Sequence, residues 1–160
     1  MKLYFFPLLL FFWSYHLISE DYIMEGFFKM NVTGNIILDN NSSYKTISLE
    51  GMWKDNVGQI GIFEANGKVD KLDEIPDIEA VGYGKSETNE KFWFIAKRNK
   101  RDITVGGGGT LEYIDGTGRY KKLIGLKCPY VARYMEGRNF HISKCNIKKS
   151  LLQELKNFKK

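Results

Sequence analysis

Histidine and cysteine are scarce in this chain, at two of each in 160 residues. His16 lies in an apolar N-terminal run, so His141, Cys128 and Cys145 are what the folded part retains. That set has no zinc spacing, and no metal is expected. Glycine is plentiful, yet the phosphate-loop pattern G-x-x-x-x-G-K-[ST] is absent. The dinucleotide pattern G-x-G-x-x-G fails as well, because Gly116-Thr117-Gly118-Arg119-Tyr120 runs into Lys121. No nucleophile elbow G-x-S-x-G supplies a serine for His141 to activate. No cofactor is expected.

Long apolar runs are also missing. The longest, Leu3 to Trp13, follows Lys2 and falls short of the about 20 residues that span a bilayer. A basic start, an apolar stretch of about 7–15 residues and a small residue near its end describe a secretory signal. Residues 1–19 are therefore expected to be a signal peptide, leaving 20–160 as one exported domain, periplasmic or extracellular. Ser19 fits the last signal position, whereas Leu17 departs from the usual small residue two places earlier. No cysteine near the junction offers a lipid attachment site. Without Lys2 the 24 basic residues become 23 against 19 acidic, a net charge of +4. The excess sits at the end, where Lys144 to Lys160 holds six lysines against Glu154. Its single aromatic residue, Phe158, does not make the interleaved series that base stacking uses, so a nucleic-acid partner is not expected. A solvated terminal face accounts for the lysines, and contact with an anionic membrane surface is the alternative.

What is abundant is strand signal. Phe28, Met30, Val32, Ile36 and Leu38 are apolar at alternate positions, interrupted by Gly34. Asp39-Asn40-Asn41-Ser42 and Lys54-Asp55-Asn56 read as turns, with strands through Tyr44, Ile47, Leu49 and Trp53 and through Val57, Ile60, Ile62 and Phe63. Asn66-Gly67 reads as a further turn and Lys68 to Glu79 as a solvated acidic loop. Phe92 to Ala96 is a strong strand, and Lys97 to Arg101 reads as its solvated turn tip. Such spacing predicts an all-β sandwich or barrel. One helix is expected over residues 150–159, capped by Ser150 with Gln153 as its capping-box partner. Leu151, Leu152, Leu155 and Phe158 share its apolar face, which covers an open edge or mouth of the sheet.

Glu136-Gly137 is a two-residue turn between CPYVARYM and RNFHISKC. Pairing Met135 with Arg138 and continuing outward brings Cys128 opposite Cys145. They fall on a non-hydrogen-bonded pair, with Cα atoms about 4.5 Å apart, a separation a disulfide accepts. Closing that loop stabilises by about 3 kcal/mol in the chain-entropy model. Pro129 is the exception to strand chemistry there. The register places Tyr130, Ala132, Tyr134, Asn139, His141 and Ser143 on one face. Val131, Arg133, Met135, Arg138, Phe140 and Ile142 take the other. Either face could be the inner one. If the first is inner, it is a polar-aromatic ligand wall; if the second is, His141 is a surface residue.

Gly106 to Gly125, GGGGTLEYIDGTGRYKKLIG, holds seven glycines yet keeps Leu111, Tyr113, Ile114, Tyr120, Leu123 and Ile124. That mixture suits strands joined by tight turns better than a linker. The residues Gly116, Thr117, Gly118, Tyr120 and Gly125 resemble the G-T-G-[KRS]-[FY]-x-x-[LIA]-x-G signature of allene-oxide-cyclase-like and dirigent-like β-barrels. The resemblance covers about a tenth of the chain. It implies a single antiparallel barrel of about eight strands, with Gly116, Thr117, Gly118 and Gly125 forming a structural turn between two of them. It also implies a small apolar ligand in the barrel, and it is compatible with a dimer or trimer. No catalytic residue carries over.

Three functions fit. The first is binding of a small apolar or aromatic ligand, with Tyr130, Tyr134, His141, Trp53 and Trp93 as candidate lining. The second is a cofactor-free isomerase or cyclase in the same cavity, needing His141 or an inward Glu50, Glu64 or Glu112 as acid or base. Alternation with Leu111 and Tyr113 turns Glu112 toward solvent. The third is an envelope interaction protein docking through the basic C-terminal helix. The cysteine pairing is directly testable: protein purified without reductant should show no free thiol by mass spectrometry, and two free thiols would overturn it.

Overall fold

The computed structural model describes residues 19–72, 77–99, 106–136 and 138–158. The expected signal peptide, Ser19 apart, lies outside them. Eight antiparallel strands close into a barrel in chain order: β1 (Ser19–Ile37), β2 (Ser43–Asp55), β3 (Ile60–Lys71), β4 (Asp77–Ser86), β5 (Lys91–Asn99), β6 (Gly107–Gly116), β7 (Lys127–Met135) and β8 (Arg138–Lys148). Closure falls to β1, which is 19 residues long. Its first part, from Ser19 to Lys29, pairs with β8, and Met24 to Ile37 pairs with β2. The ladder shifts register between Val32 and Gly34, the interruption that Gly34 marks in the sequence.

The alternation of side chains fills the interior. Tyr22, Met24, Trp53, Phe63, Ala65, Ala80, Phe92, Phe94, Leu111, Tyr113, Cys128 and Cys145 form one buried cluster. An eight-stranded barrel is just wide enough for its own side chains and at most one small ligand. The β7–β8 ladder pairs Met135 with Arg138 and continues to Tyr130 with Ser143. Pro129 instead opposes Thr110 on β6, so it does not displace the hairpin register. The disulfide joins Cys128 and Cys145 beyond it, at a Cα–Cα distance of 4.6 Å. Glu136 takes a positive φ of 49° at the turn; Gly137 lies outside the described residues.

Three expected loops are smaller than their composition suggests. Asn66 and Gly67 lie within β3, not at a turn. Gly67 sits between Ile47 and Ala80, and a Cβ there would come within 2.3 Å of the Glu79 carbonyl oxygen. Close strand approach, and not chain reversal, asks for glycine. Lys68 to Lys71 completes β3 and Asp77 to Glu79 opens β4, so most of the expected acidic loop is strand, and residues 73–76 lie outside the described residues. Likewise β5 continues to Asn99, and the rest of the expected tip, residues 100 and 101, lies outside the described residues.

One end of the barrel is closed by two short elements. A 3₁₀ turn, Gly118–Leu123, joins β6 to β7 and buries Arg119, Tyr120 and Leu123. Helix α1 (Lys149–Lys156) follows β8 directly and buries Leu152 and Leu155. Lys148, not Ser150, is its N-cap residue, and no side chain caps it. Ser150 falls inside the first turn because β8 runs up to the helix without a loop.

Glu90 binds these pieces together. Its Oε1 accepts the Arg119 amide N–H at 3.0 Å, and its Oε2 accepts Arg119 Nε at 2.9 Å. A second Arg119 nitrogen donates to the Leu155 carbonyl at 3.2 Å, and Phe158 lies against the guanidinium. Burial pushes the Glu90 carboxyl up, but the bonds from Arg119 and Thr88 outweigh it and hold it below the usual range. Thr117 braces the same corner, donating its N–H to the Lys91 carbonyl at 2.8 Å and accepting the Lys91 N–H at 2.7 Å.

Gly118 has φ +54°, and a Cβ there would meet Glu90 Oε1 at 1.8 Å. Gly118→Ala is therefore expected to combine backbone strain with displacement of a buried ion pair, costing about 2–4 kcal/mol. Gly58, at φ +87° with nothing within 4 Å of its would-be Cβ, is the control. Gly58→Ala should cost about 1 kcal/mol. Equal losses in urea denaturation would refute the special role of the Gly118–Glu90 contact.

Candidate functional site

The interior is full at the plugged end and open further along the barrel. A cavity of about 80 Å³ remains, walled by Phe28, Trp53, Phe63, Phe92, Phe94 and neighbouring aliphatic and methionine side chains. Arg98, Tyr130, Tyr134 and His141 also line it. The Tyr/His face of the β7–β8 hairpin is thus the inner one. Val131 and Met135 are instead exposed on the outside.

Of the five expected lining residues, the cavity brings together Trp53, Tyr130, Tyr134 and His141. Trp93 is different. It stands between Phe92 and Phe94, both of which line the cavity, so strand alternation turns it to the outer face, where it is half-buried. Trp53 has its indole N–H satisfied by the Ile62 carbonyl at 3.0 Å and offers the cavity only an apolar wall.

His141 occupies an aromatic box. Ring centroids of Phe28, Phe63 and Tyr130 lie 5.8, 6.1 and 6.5 Å from its own. Its imidazole lies against Gly26 on β1, where a Cβ would meet ring atoms at 2.3 and 2.5 Å. Burial pulls its pKa down to about 4, so the ring is neutral at pH 7. Its Nε2 has no hydrogen-bond partner among the described residues, nor do Asn139 Oδ1 and Ser143 Oγ. These three side chains are successive inward positions of β8. Most buried polar groups in proteins are paired, and of these three His141 lines the cavity, so its Nε2 marks a place where a further molecule can bond.

Arg98 is the residue that sequence reading missed. Its charged neighbours suggest a solvated tip, yet it is 2% exposed and lines the cavity. The alternation of Phe92, Phe94 and Ala96 carried two residues further would have placed it there. Its guanidinium lies 5.9 Å from the Tyr134 ring centroid. Burial pushes Tyr134 up, against the pull of the Arg98 charge, and pushes Tyr130 up to about 12. Both hydroxyls are protonated at neutral pH.

The carboxylates fall elsewhere. Glu50 and Glu64 are exposed on the outer face, and Glu112 pairs with Lys127 there at 3.6 Å. Among the described residues Glu90 is a buried carboxylate and Asp55 a half-buried one, both at the plugged end. Asp55 accepts the Tyr22 hydroxyl at 2.9 Å and the Val57 and Gln59 amides. Its pKa is raised by burial, which those bonds only partly offset. Neither lines the cavity. Among the described residues no cluster of histidine, cysteine or carboxylate groups could hold a metal ion. Gly116, Thr117, Gly118 and Gly125 lie at the β6–β7 corner, away from the cavity lining. No family model and no curated protein matches the chain.

The buried neutral His141 makes stability depend on pH. An unfolded histidine titrates near 6.5, so between pH 6.5 and 4 the unfolded chain binds the proton that the folded chain refuses. Stability is fully present above that window and falls as pH drops through it, by on the order of 3 kcal/mol. His141→Gln should flatten this part of the profile relative to wild type. An imidazole NMR titration with a midpoint near 6.5 would contradict the buried, neutral state.

Proposed function

We propose that the protein is an exported carrier or receptor barrel that binds one small, largely apolar or aromatic ligand. The supporting observation is the conjunction inside the barrel: an aromatic-walled cavity lined by His141, whose Nε2 has no hydrogen-bond partner among the described residues. Volume sets the scale of the ligand. An apolar cavity of about 150 Å³ accepts benzene, so the about 80 Å³ here takes a single ring when flexible neighbours such as Met24 and Met30 turn aside. Long-chain lipids and polycyclic compounds are too large. Export is supported by the Cys128–Cys145 disulfide, which is at home in an oxidising compartment, together with the signal-like character of residues 1–19.

The isomerase reading has less to build on. Its acid–base group at the cavity is His141, with no described carboxylate beside it. Docking through the C-terminal helix is disfavoured too, because Leu152 and Leu155 already pack in the barrel.

Native mass spectrometry of protein from its own host tests the binding function. A retained adduct of roughly one-ring size, lost on denaturation, is the expected result. Repeated recovery of the bare chain, with no thermal shift across a panel of single-ring compounds, would sink it.

A further inference from the structure

The outer wall of the barrel carries an apolar patch that its own fold leaves uncovered. Phe27, Met52, Ile60 and Ile62 are between 49 and 62% exposed, and the Phe27 ring lies 4.8 Å from that of Phe140 beside it. Single exposed apolar residues are ordinary, whereas contiguous ones mark contact sites. Strand pairing sets this patch in three rows across β8, β1, β2 and β3. The first reads Ile142, Glu25, Lys54, Ile60; the second Phe140, Phe27, Met52, Ile62; the third Arg138, Lys29, Glu50, Glu64. Lys54 meets Glu25 at 2.8 Å within the chain. Lys29, Arg138 and Glu50 are exposed and make no ion pair among the described residues.

All three rows share one symmetry about the line between β1 and β2. Across that line Glu25 answers Lys54, Lys29 answers Glu50 and Arg138 answers Glu64, each charge by its opposite. Apolar positions answer apolar ones: Phe27 and Met52, Phe140 and Ile62, Ile142 and Ile60. A two-fold axis along the line, in the plane of contact, lays β1 of one copy over β2 of another and β8 over β3. Each pair just named then becomes a contact between copies. We propose that this face is the interface of an isologous homodimer of the chain. Such an interface must be complementary to itself, and the alternating signs of these rows meet that condition. Lipid does not fit the face, because Phe27 lies between Glu25 and Lys29, and Met52 between Glu50 and Lys54; charges on the lipid side of a barrel are costly. A partner of one charge sign would be repelled by half of the third row. The barrel curves away on either side, so the contact is four strands wide, about 15 Å at the usual spacing. That is a small interface, with a dissociation constant on the order of micromolar.

Sedimentation velocity of protein purified from its own host, over about 1 to 200 μM, should show a monomer–dimer equilibrium. Lys29→Glu puts like charges at both symmetric contacts, and so does Glu50→Lys. Each variant alone should dimerise at least about tenfold more weakly. Mixed in equal amounts, the two should pair as tightly as the wild type. The glutamate introduced in one then faces the lysine introduced in the other, and the native Glu50 of the first faces the native Lys29 of the second. Both positions are exposed, and thermal melts matching wild type check that the fold is kept. If either charge variant does not fold, Met52→Asp should be monomeric over the same range. A wild type that stays monomeric throughout overturns the interface, and its co-flotation with neutral phospholipid vesicles would give the apolar row to lipid instead. A trimer, a dimer indifferent to these substitutions, or a mixture that fails to recover overturns the two-fold arrangement.

Discussion

The buried ion pair between Glu90 and Arg119 decides how this barrel is closed, and the position of its cavity follows from that. Ions are costly to bury unless every donor and acceptor is met. Here both Glu90 oxygens and two kinds of Arg119 nitrogen are engaged, with partners in the β4–β5 turn, the 3₁₀ turn and the last turn of α1. Such a pair contributes little net stability compared with an apolar packing, but it tolerates few alternative arrangements. It therefore fixes where the 3₁₀ turn sits, and with it Tyr120 and Leu123 inside the barrel end. The helix needs no side-chain cap because its C-terminal carbonyl and its apolar stripe are both held from within.

That plug divides the interior into two regions. At the closed end Tyr22 bonds Asp55 and Tyr113 reaches Met24 Sδ at 3.9 Å, while the Tyr120 hydroxyl is buried with no partner among the described residues. Towards the other end, Asn139, His141 and Ser143 also hold buried polar atoms with no partner among the described residues. Burial pushes the tyrosine pKa values up in both regions. The difference lies in space: the closed end is filled by Tyr120 and Leu123, whereas His141 lines the cavity.

Much of this architecture was legible in the sequence because period-two alternation and turn chemistry are local. The β7–β8 register, read outward from Glu136-Gly137, placed Cys128 against Cys145 and sorted Tyr130, Tyr134 and His141 onto one face. Which face was inner could not be read, since both contain apolar side chains and the answer depends on strands far away in sequence. Arg98 is hidden in the sequence because the charge cluster Lys97 to Arg101 masks the alternation that runs through it. Asn66-Gly67 misled for a similar reason: a turn-forming pair is also a pair without bulk, and Gly67 lies between Ile47 and Ala80 for want of a Cβ. Glu90 and Arg119 are 29 residues apart, with no pattern to link them in advance.

The glycine-rich segment unites these lessons. Its later glycines, Gly116, Gly118 and Gly125, let the chain turn beneath the plug, where Gly118 and Gly125 take φ values of 54° and 84°. Its earlier ones, Gly107 and Gly109, sit in a regular strand, where backbone freedom is not at issue. There the missing side chains matter as volume. In a closed barrel of fixed strand number, each inward position competes for the same interior space. Removing bulk from β6 is therefore what lets the Arg98 guanidinium and the Tyr130 ring enter from β5 and β7. Filling those glycines would not merely shrink the cavity. It would remove its polar end while leaving its aromatic walls, and with them the basis for telling one small apolar molecule from another.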